Sequence, residues 1–425
     1  MRLSLITRVR GVIVLLGVLA LASLASAEFF YRNGDQPIVF LGDSITDNQP
    51  YPKFIESFIL TRYPTWTVTC RNIGWGGDTA GLRQRQGFDT GMKRDILSLK
   101  PMAITIDFGM NDARAGEGGL PGYIANTTKL VQQLKAAGAR VALLTPSPEE
   151  RYEADQPAGS GYNTMLAKYS QALKTIAEKE GVPFVDQYTP FVQVIESGRK
   201  AGILSPTQGG ARLIPDAVHP NLAGHVVMAS AILKGLEAPA LVSRVELDGT
   251  ARKVISADGC KVELRDGADL TFSRLDAALP WYLPVDTHSI LKIPGFSPLD
   301  DLNRYELKVT NLPAANYELL IDDTKVGTYT KDALTAGVNL ALTAGPITAQ
   351  AKRVWDVVND KGNLYFTRWR NVQIAPLPAW LSGPEIEKAR AAELVRLDAQ
   401  IADREKQLAT LRQPTAHVWT LKAAQ

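Results

Sequence analysis

The sequence predicts an α/β protein: a three-layer α/β/α sandwich built on a parallel sheet, followed by a small antiparallel β module and a C-terminal helix. Three observations carry that expectation. From residue 37 to about 235, short apolar runs alternate with helix-like stretches. After residue 236 the runs are separated by tight turns instead, and near residue 382 a helix start opens a long amphipathic stretch.

In the first region the strand candidates are 38–41, 67–72, 103–107, 141–145 and 184–186, and the helix candidates are 52–61, 92–99, 123–137 and 162–180. Strands separated by helices pair in parallel and are covered on both faces. Gly138 and Gly181 mark helix ends, because glycine adopts the left-handed cap without a steric penalty.

The second region carries strand candidates at 242–247, 261–264, 304–309, 317–321 and 325–329, joined by Asp-Gly, Asn-Leu-Pro-Ala-Ala-Asn and Asp-Asp-Thr-Lys turns of hairpin type. A helix is expected through 349–359. A longer one begins at the capping box Ser382-Gly383-Pro384-Glu385 and closes before Pro414. Ile386, Leu394, Leu397, Ile401, Leu408 and Leu411 form its apolar face. Packing against its own chain is preferred over a dimerising coiled coil, because Arg404 and Glu405 interrupt the seam. The resulting division is 1–27, a signal peptide; 28–238, the α/β domain; 239–345, the β-rich module; and 346–425, a helical segment.

Arg2, Arg8 and Arg10, the apolar run 12–21 and Ala25-Ser26-Ala27 are the three regions of a secretory signal, with cleavage expected after Ala27. Removing those three arginines lowers the formal charge from +3 to 0, which argues against nucleic acid or an anionic membrane as the main partner. No cysteine follows the cleavage site to take a lipid, so a secreted or periplasmic protein with no membrane span in its mature chain is expected. The only cysteines are Cys70 and Cys260, and neither their pairing nor the oligomeric state is decided by sequence. With no CxxC, no HExxH and four scattered histidines, neither a metal nor another cofactor is expected.

Two segments carry chemistry. Gly42-Asp43-Ser44 follows the first apolar run, where the carboxyl end of a parallel strand opens onto the ligand crevice. Asp216 and His219 lie three apart before Pro220, close enough for the carboxylate to hold imidazole Nδ1 and leave Nε2 free to take a serine proton. His225 is read as a packed or capping histidine. The glycines of 74–77 let backbone N–H groups approach a ligand, and Asn111 places a side-chain amide after the third strand.

Gly-Asp-Ser at 42–44, Asn-x-Gly-x-x-Gly-Asp-Thr at 72–79, Gly-x-Asn-Asp at 109–112 and Asp-x-x-His-Pro at 216–220 resemble, in order, the four sequence blocks of the SGNH hydrolases, or GDSL esterase/lipase superfamily. The resemblance covers the first domain and implies a flavodoxin-like fold. It implies Ser44 as nucleophile, His219 as general base and Asp216 as its orienting partner. An oxyanion hole would consist of the backbone N–H groups of Ser44 and Gly77 and the amide of Asn111. No GxSxG elbow is present, so the larger α/β-hydrolase family is not the match.

The expected activity is a secreted serine carboxylester hydrolase that removes acetyl groups from a glycan through an acyl-enzyme. The alternatives are a lipid or aryl esterase, or a glycan-binding protein on an idle scaffold. Asp43 and Trp75 are the candidate substrate contacts, Trp75 being either a sugar-stacking ring or a core residue beneath the loop. Trp281, Tyr282 and Trp355 are candidates for a binding face on the β module. The Arg368-Trp369-Arg370 cluster reads as a packing patch or a lip on the crevice.

Overall fold

Five short strands, β1 Ile38–Gly42, β2 Cys70–Asn72, β3 Ala103–Asp107, β4 Arg140–Leu144 and β5 Phe184–Val185, pair in parallel in the order β2-β1-β3-β4-β5 in the computed structural model. It describes residues 28–424 apart from 152–160, 208, 377, 379 and 382. Residues 1–27, expected to be a signal peptide, and Ser382 of the expected capping box lie outside the described residues. Every residue of β1 and β3 is buried, as in a parallel sheet covered on both sides. The helices of this part are α1 Ser44–Asp47, α2 Pro50–Arg62, α3 Phe88–Gly91, α4 Gly116–Ala136, α5 Tyr162–Glu180, α6 Tyr188–Lys200 and α7 Leu222–Gly235. Helix α2 packs with α7, and α4 with α5.

Two stretches depart from the simple helix pattern. The expected helix at 92–99 is instead a π-helical turn, Met92–Ile96, followed by a 3₁₀ turn, Leu97–Leu99. Helix α4 begins at Gly116, not 123, and runs through Pro121. Its weak first turns are held from outside, where the Tyr169 hydroxyl donates to the Gly116 carbonyl at 2.9 Å.

The second part contains β6 Leu241–Asp248, β7 Lys253–Asp258, β8 Cys260–Arg265, β9 Leu270–Asp276, β10 Arg304–Thr310, β11 Asn316–Ile321, β12 Thr324–Thr330, β13 Val338–Asn339 and β14 His417–Ala423. Its helices are α8 Pro298–Leu302, α9 Lys331–Ala336, α10 Pro346–Phe366 and α11 Pro384–Leu411. The strands form one sheet in the order β13-β10-β6-β7 and another in the order β12-β11-β14-β9-β8. All their pairings are antiparallel except β6 with β10. Strand β14, unforeseen in the sequence, lies between β9 and β11, and Trp419 fills the core beneath it.

The two parts share a packed seam. Trp281 is fully buried, its indole N–H donating to the Phe54 carbonyl at 3.1 Å, while Trp355 stacks on Phe54 at 4.3 Å. Arg62 on α2 donates to the carbonyls of Leu241 and Leu302 at 3.0 and 2.7 Å. The expectation of a binding face from Trp281 and Trp355 is therefore corrected: burial of large aromatic area drives them into the seam. Helix α11 packs on α10 with Leu397 and Ile401 buried, which is the own-chain alternative. Cys70 and Cys260 are both free thiols. Among the described residues no helix is long and apolar enough to cross a membrane.

Candidate active site

Strand β1 ends between β2 and β3, so the loop leaving it is flanked by the loops leaving its two neighbours. In this strand order ligands bind where the chain reverses direction across the sheet, at β1 and β3. Ser44 stands at that point, as the first residue of α1. The Asp43 side chain caps the helix by accepting from the Ile45 N–H at 3.0 Å.

His219 is delivered from the other side by the loop between α6 and α7. Its Nε2 lies 2.9 Å from Ser44 Oγ, and its Nδ1 lies 2.7 Å from Asp216 Oδ2. The second Asp216 oxygen accepts the backbone N–H groups of His219 and Val218 at 2.7 and 3.0 Å. Burial disfavours the Asp216 charge, but these bonds outweigh it and hold the carboxyl below its ordinary value. The three side chains form an acid, base and hydroxyl chain, in which the imidazole is oriented to receive the serine proton.

The turn in this loop is strained at Ala217, whose φ of 74° is left-handed. Glu150 holds it there. The Glu150 N–H donates to the Ala217 carbonyl at 3.0 Å, and its carboxylate accepts from the Ile214 N–H at 2.9 Å and from Arg199 at 3.1 Å.

On the opposite side Gly77 has a φ of 74°, a backbone shape that favours glycine. Gly74 packs so closely on α1 that a Cβ there would stand 2.2 Å from the Asp47 nitrogen. Neither the Ser44 nor the Gly77 N–H has a partner among the described residues, which leaves both free to donate. The Asn111 amide, from the loop after β3, donates to the Asp78 carbonyl at 3.0 Å and makes a longer 3.4 Å contact with Asp43 Oδ2. The Ser44 and Gly77 N–H groups and the Asn111 amide thus come from the loops leaving three adjacent strands, β1, β2 and β3.

Asp43 is 2 % exposed, so it supports Ile45 and Asn111 from beneath and does not reach the crevice. Burial, then the neighbouring Asp107, push its carboxyl well above the ordinary range. Burial also raises Asp107 to about 7 and Asp112 to about 6. Trp75 is half-buried. The Arg370 guanidinium stands 4.3 Å over its ring and Trp369 meets it edge-on at 5.8 Å, so protein side chains engage the indole. His225 is 1 % exposed and stacks on Tyr51 at 6.1 Å, a packed histidine. Among the described residues no group of three His, Cys, Asp or Glu side chains could hold a metal ion.

Residues 40–227 match the GDSL-like lipase/acylhydrolase family. The first part of this chain is an SGNH hydrolase domain. The SGNH domain is similar to the acetylxylan esterase of Geobacillus stearothermophilus, 26% identical over 224 residues that span 47% of this chain and 93% of that protein. The solved structure of a gut microbial diltiazem-metabolizing enzyme superposes with a TM-score of 0.75 at 25% identity, covering 94% of this chain and all of that one. The likeness therefore extends through the β-rich part that follows the SGNH domain. With the family match, these findings make the protein an ester-hydrolysing enzyme.

Two residues that support this site went unread in the sequence, Glu150 behind the histidine loop and Asp47 beneath the glycine loop, and for a third, Arg370, the place above Trp75 was not foreseen. Glu150 was within reach, since Glu149 and Glu150 follow β4 at the same sheet edge as the other blocks. Arg370 belongs to the cluster read as a packing patch or a lip on the crevice, but nothing in a linear pattern relates it to residue 75.

Proposed function

We propose that this protein is a secreted serine carboxylester hydrolase that removes acetyl groups from a carbohydrate. Ser44 Oγ attacks the ester carbonyl while His219 Nε2 takes its proton, and Asp216 stabilises the imidazolium that forms. The Ser44 and Gly77 N–H groups and the Asn111 amide receive the developing oxyanion. His219 returns its proton to the leaving alcohol. Water, activated by the same imidazole, then attacks the acetyl-serine, releasing acetate and restoring Ser44.

The observation that carries this reading is the unbroken chain from Asp216 through His219 to Ser44, at 2.7 and 2.9 Å. The acetylated-carbohydrate choice is supported by the acetylxylan esterase relative. Secretion is supported by the charged, apolar and small-residue pattern of residues 1–27. A second reading, an esterase of aromatic small molecules, is favoured by the full-length likeness to an enzyme that metabolises diltiazem.

Acetate release from acetylated xylan, pectin and a chitin-type glycan, measured beside a 4-nitrophenyl acyl-chain series and diltiazem with Ser44→Ala as control, separates the two. Serine-dependent release from a polymer supports the glycan reading. Turnover confined to the aromatic esters transfers it to small molecules, and turnover confined to long acyl chains makes the protein a lipid esterase.

A further inference from the structure

The SGNH domain ends before the β-rich part begins, yet the last third of the chain returns to its active site. Helix α10 runs directly into a π-helical turn, Thr367–Gln373, which brings Trp369 and Arg370 onto the glycine loop that follows β2. We propose that Arg370 is a positioning residue for ester hydrolysis: acting through Asp47 and Trp75, it holds loop 75–77 so that the Gly77 N–H faces the developing oxyanion. The inference rests on the esterase reading above and deepens it.

The geometry runs through one carboxylate. Asp47 sits three residues after Ser44 in the same short helix, and its Oδ2 accepts the Gly76 N–H at 3.1 Å. Its other oxygen, Oδ1, is buried and accepts no hydrogen bond among the described residues; its neighbour is Arg370 Nε at 3.7 Å. Burial raises the Asp47 carboxyl, and Arg370 is the foremost influence opposing that rise. Without the guanidinium the carboxyl shifts towards its neutral form, a weaker acceptor for the Gly76 N–H.

A second tether acts on the adjoining residue, where the same guanidinium lies over the Trp75 ring at 4.3 Å. Both matter because Gly76 and Gly77 have no side chains with which to fix their own peptide planes. Arg85 also approaches Trp75, at 5.4 Å, but its Nε is committed to a fully buried pair with Asp78 at 2.7 Å. Trp369 of the appended segment meets the Trp75 ring edge-on at 5.8 Å, and Arg370 adds the charged link from that segment to the loop.

The test uses the full-length protein. For Arg370→Ala, Arg370→Lys and Asp47→Asn, kcat and KM on 4-nitrophenyl acetate are measured together with the melting temperature and the rate at which a fluorophosphonate labels Ser44. Misplacing one oxyanion donor without removing it is expected to lower kcat about tenfold in Arg370→Ala, with KM and melting temperature little changed and phosphonate labelling slowed in parallel. Arg370→Lys restores part of the loss, because the charge is kept while the planar guanidinium is not.

A folded Arg370→Ala with kcat within twofold of the unsubstituted protein overturns the inference. If that variant does not fold, Asp47→Asn decides it by the same twofold criterion. An unsubstituted protein inert to both ester and phosphonate overturns the esterase reading as well, whereas an active protein indifferent to these substitutions overturns this inference alone.

Discussion

His219 Nε2 stands 2.9 Å from Ser44 Oγ, although the two residues are 175 positions apart in the chain. The separation within hydrogen-bond range means that proton transfer needs no rearrangement of the resting site. Ser44→Ala and His219→Ala are each expected to abolish ester turnover while leaving the melting temperature within a few degrees of the parent. Asp216→Asn keeps the shape but loses the charge that orients the imidazole, and a fall in kcat of about 10²- to 10⁴-fold is expected. Steady-state kinetics with 4-nitrophenyl acetate reads all three; full turnover by either alanine variant would sink the nucleophile and base assignments.

In the proposed oxyanion group Asn111 is the one side-chain donor. Asn111→Ala should cost about 10²- to 10³-fold in kcat with a much smaller change in KM, since the lost bond is made chiefly in the transition state. An increase in KM at constant kcat would instead place Asn111 in ground-state binding.

His225 is held uncharged, burial pushing it down to about 3 from 6.5. Between those values the unfolded chain takes up a proton here that the folded chain refuses, so stability is whole above about pH 6.5 and falls as the pH drops towards 3. His225→Phe, which preserves a ring against Tyr51, should flatten the acid limb of the melting-temperature profile. An unchanged slope between pH 6.5 and 4 would show that other groups govern it.

Asp107 has the opposite sign. Burial raises it to about 7, so the folded chain keeps a proton that the unfolded chain loses above its ordinary value of 3.8. Its stabilising contribution is full below that value and disappears as the pH rises through about 7. Asp107→Asn should therefore raise the urea midpoint at pH 8 by more than it does at pH 5. An equal change at both would contradict the assignment.

Strand β14 is the central strand of its sheet, paired to β9 on one side and β11 on the other. Deleting residues 414–425 removes Trp419 and Leu421 from the core and leaves two strand edges unpaired. The β-rich part should become protease-sensitive, seen as rapid cleavage within 241–330 during limited proteolysis. A resistant truncated chain would show that β9 and β11 hold without it.

Much of the first domain was legible because its signals are local. An apolar run of five residues ending in Gly-Asp-Ser needs no partner to be recognised as a buried strand and its loop, and Asp216 and His219 lie on a single turn of chain. The Tyr162–Glu180 helix has an apolar face that repeats at helical spacing and ends at Gly181, so its bounds were written in its own residues. The beginning of α4 was hidden because its glycines and Pro121 disfavour a helix, and a hydroxyl from α5 overrides them.

By itself the sequence determined the five strands of the hydrolase domain, most of the helices between them though not Tyr188–Lys200, the four loop blocks and the chemical types that meet there. Tertiary structure alone decided that β14 enters the middle of a sheet, that Trp281 and Trp355 become a seam, and that Arg370 reaches the glycine loop. The physical reason is range. Hydrophobic period, capping and turn chemistry act over a few residues and leave their pattern in the chain, whereas burial and ion pairing between distant segments depend on where the whole backbone closes.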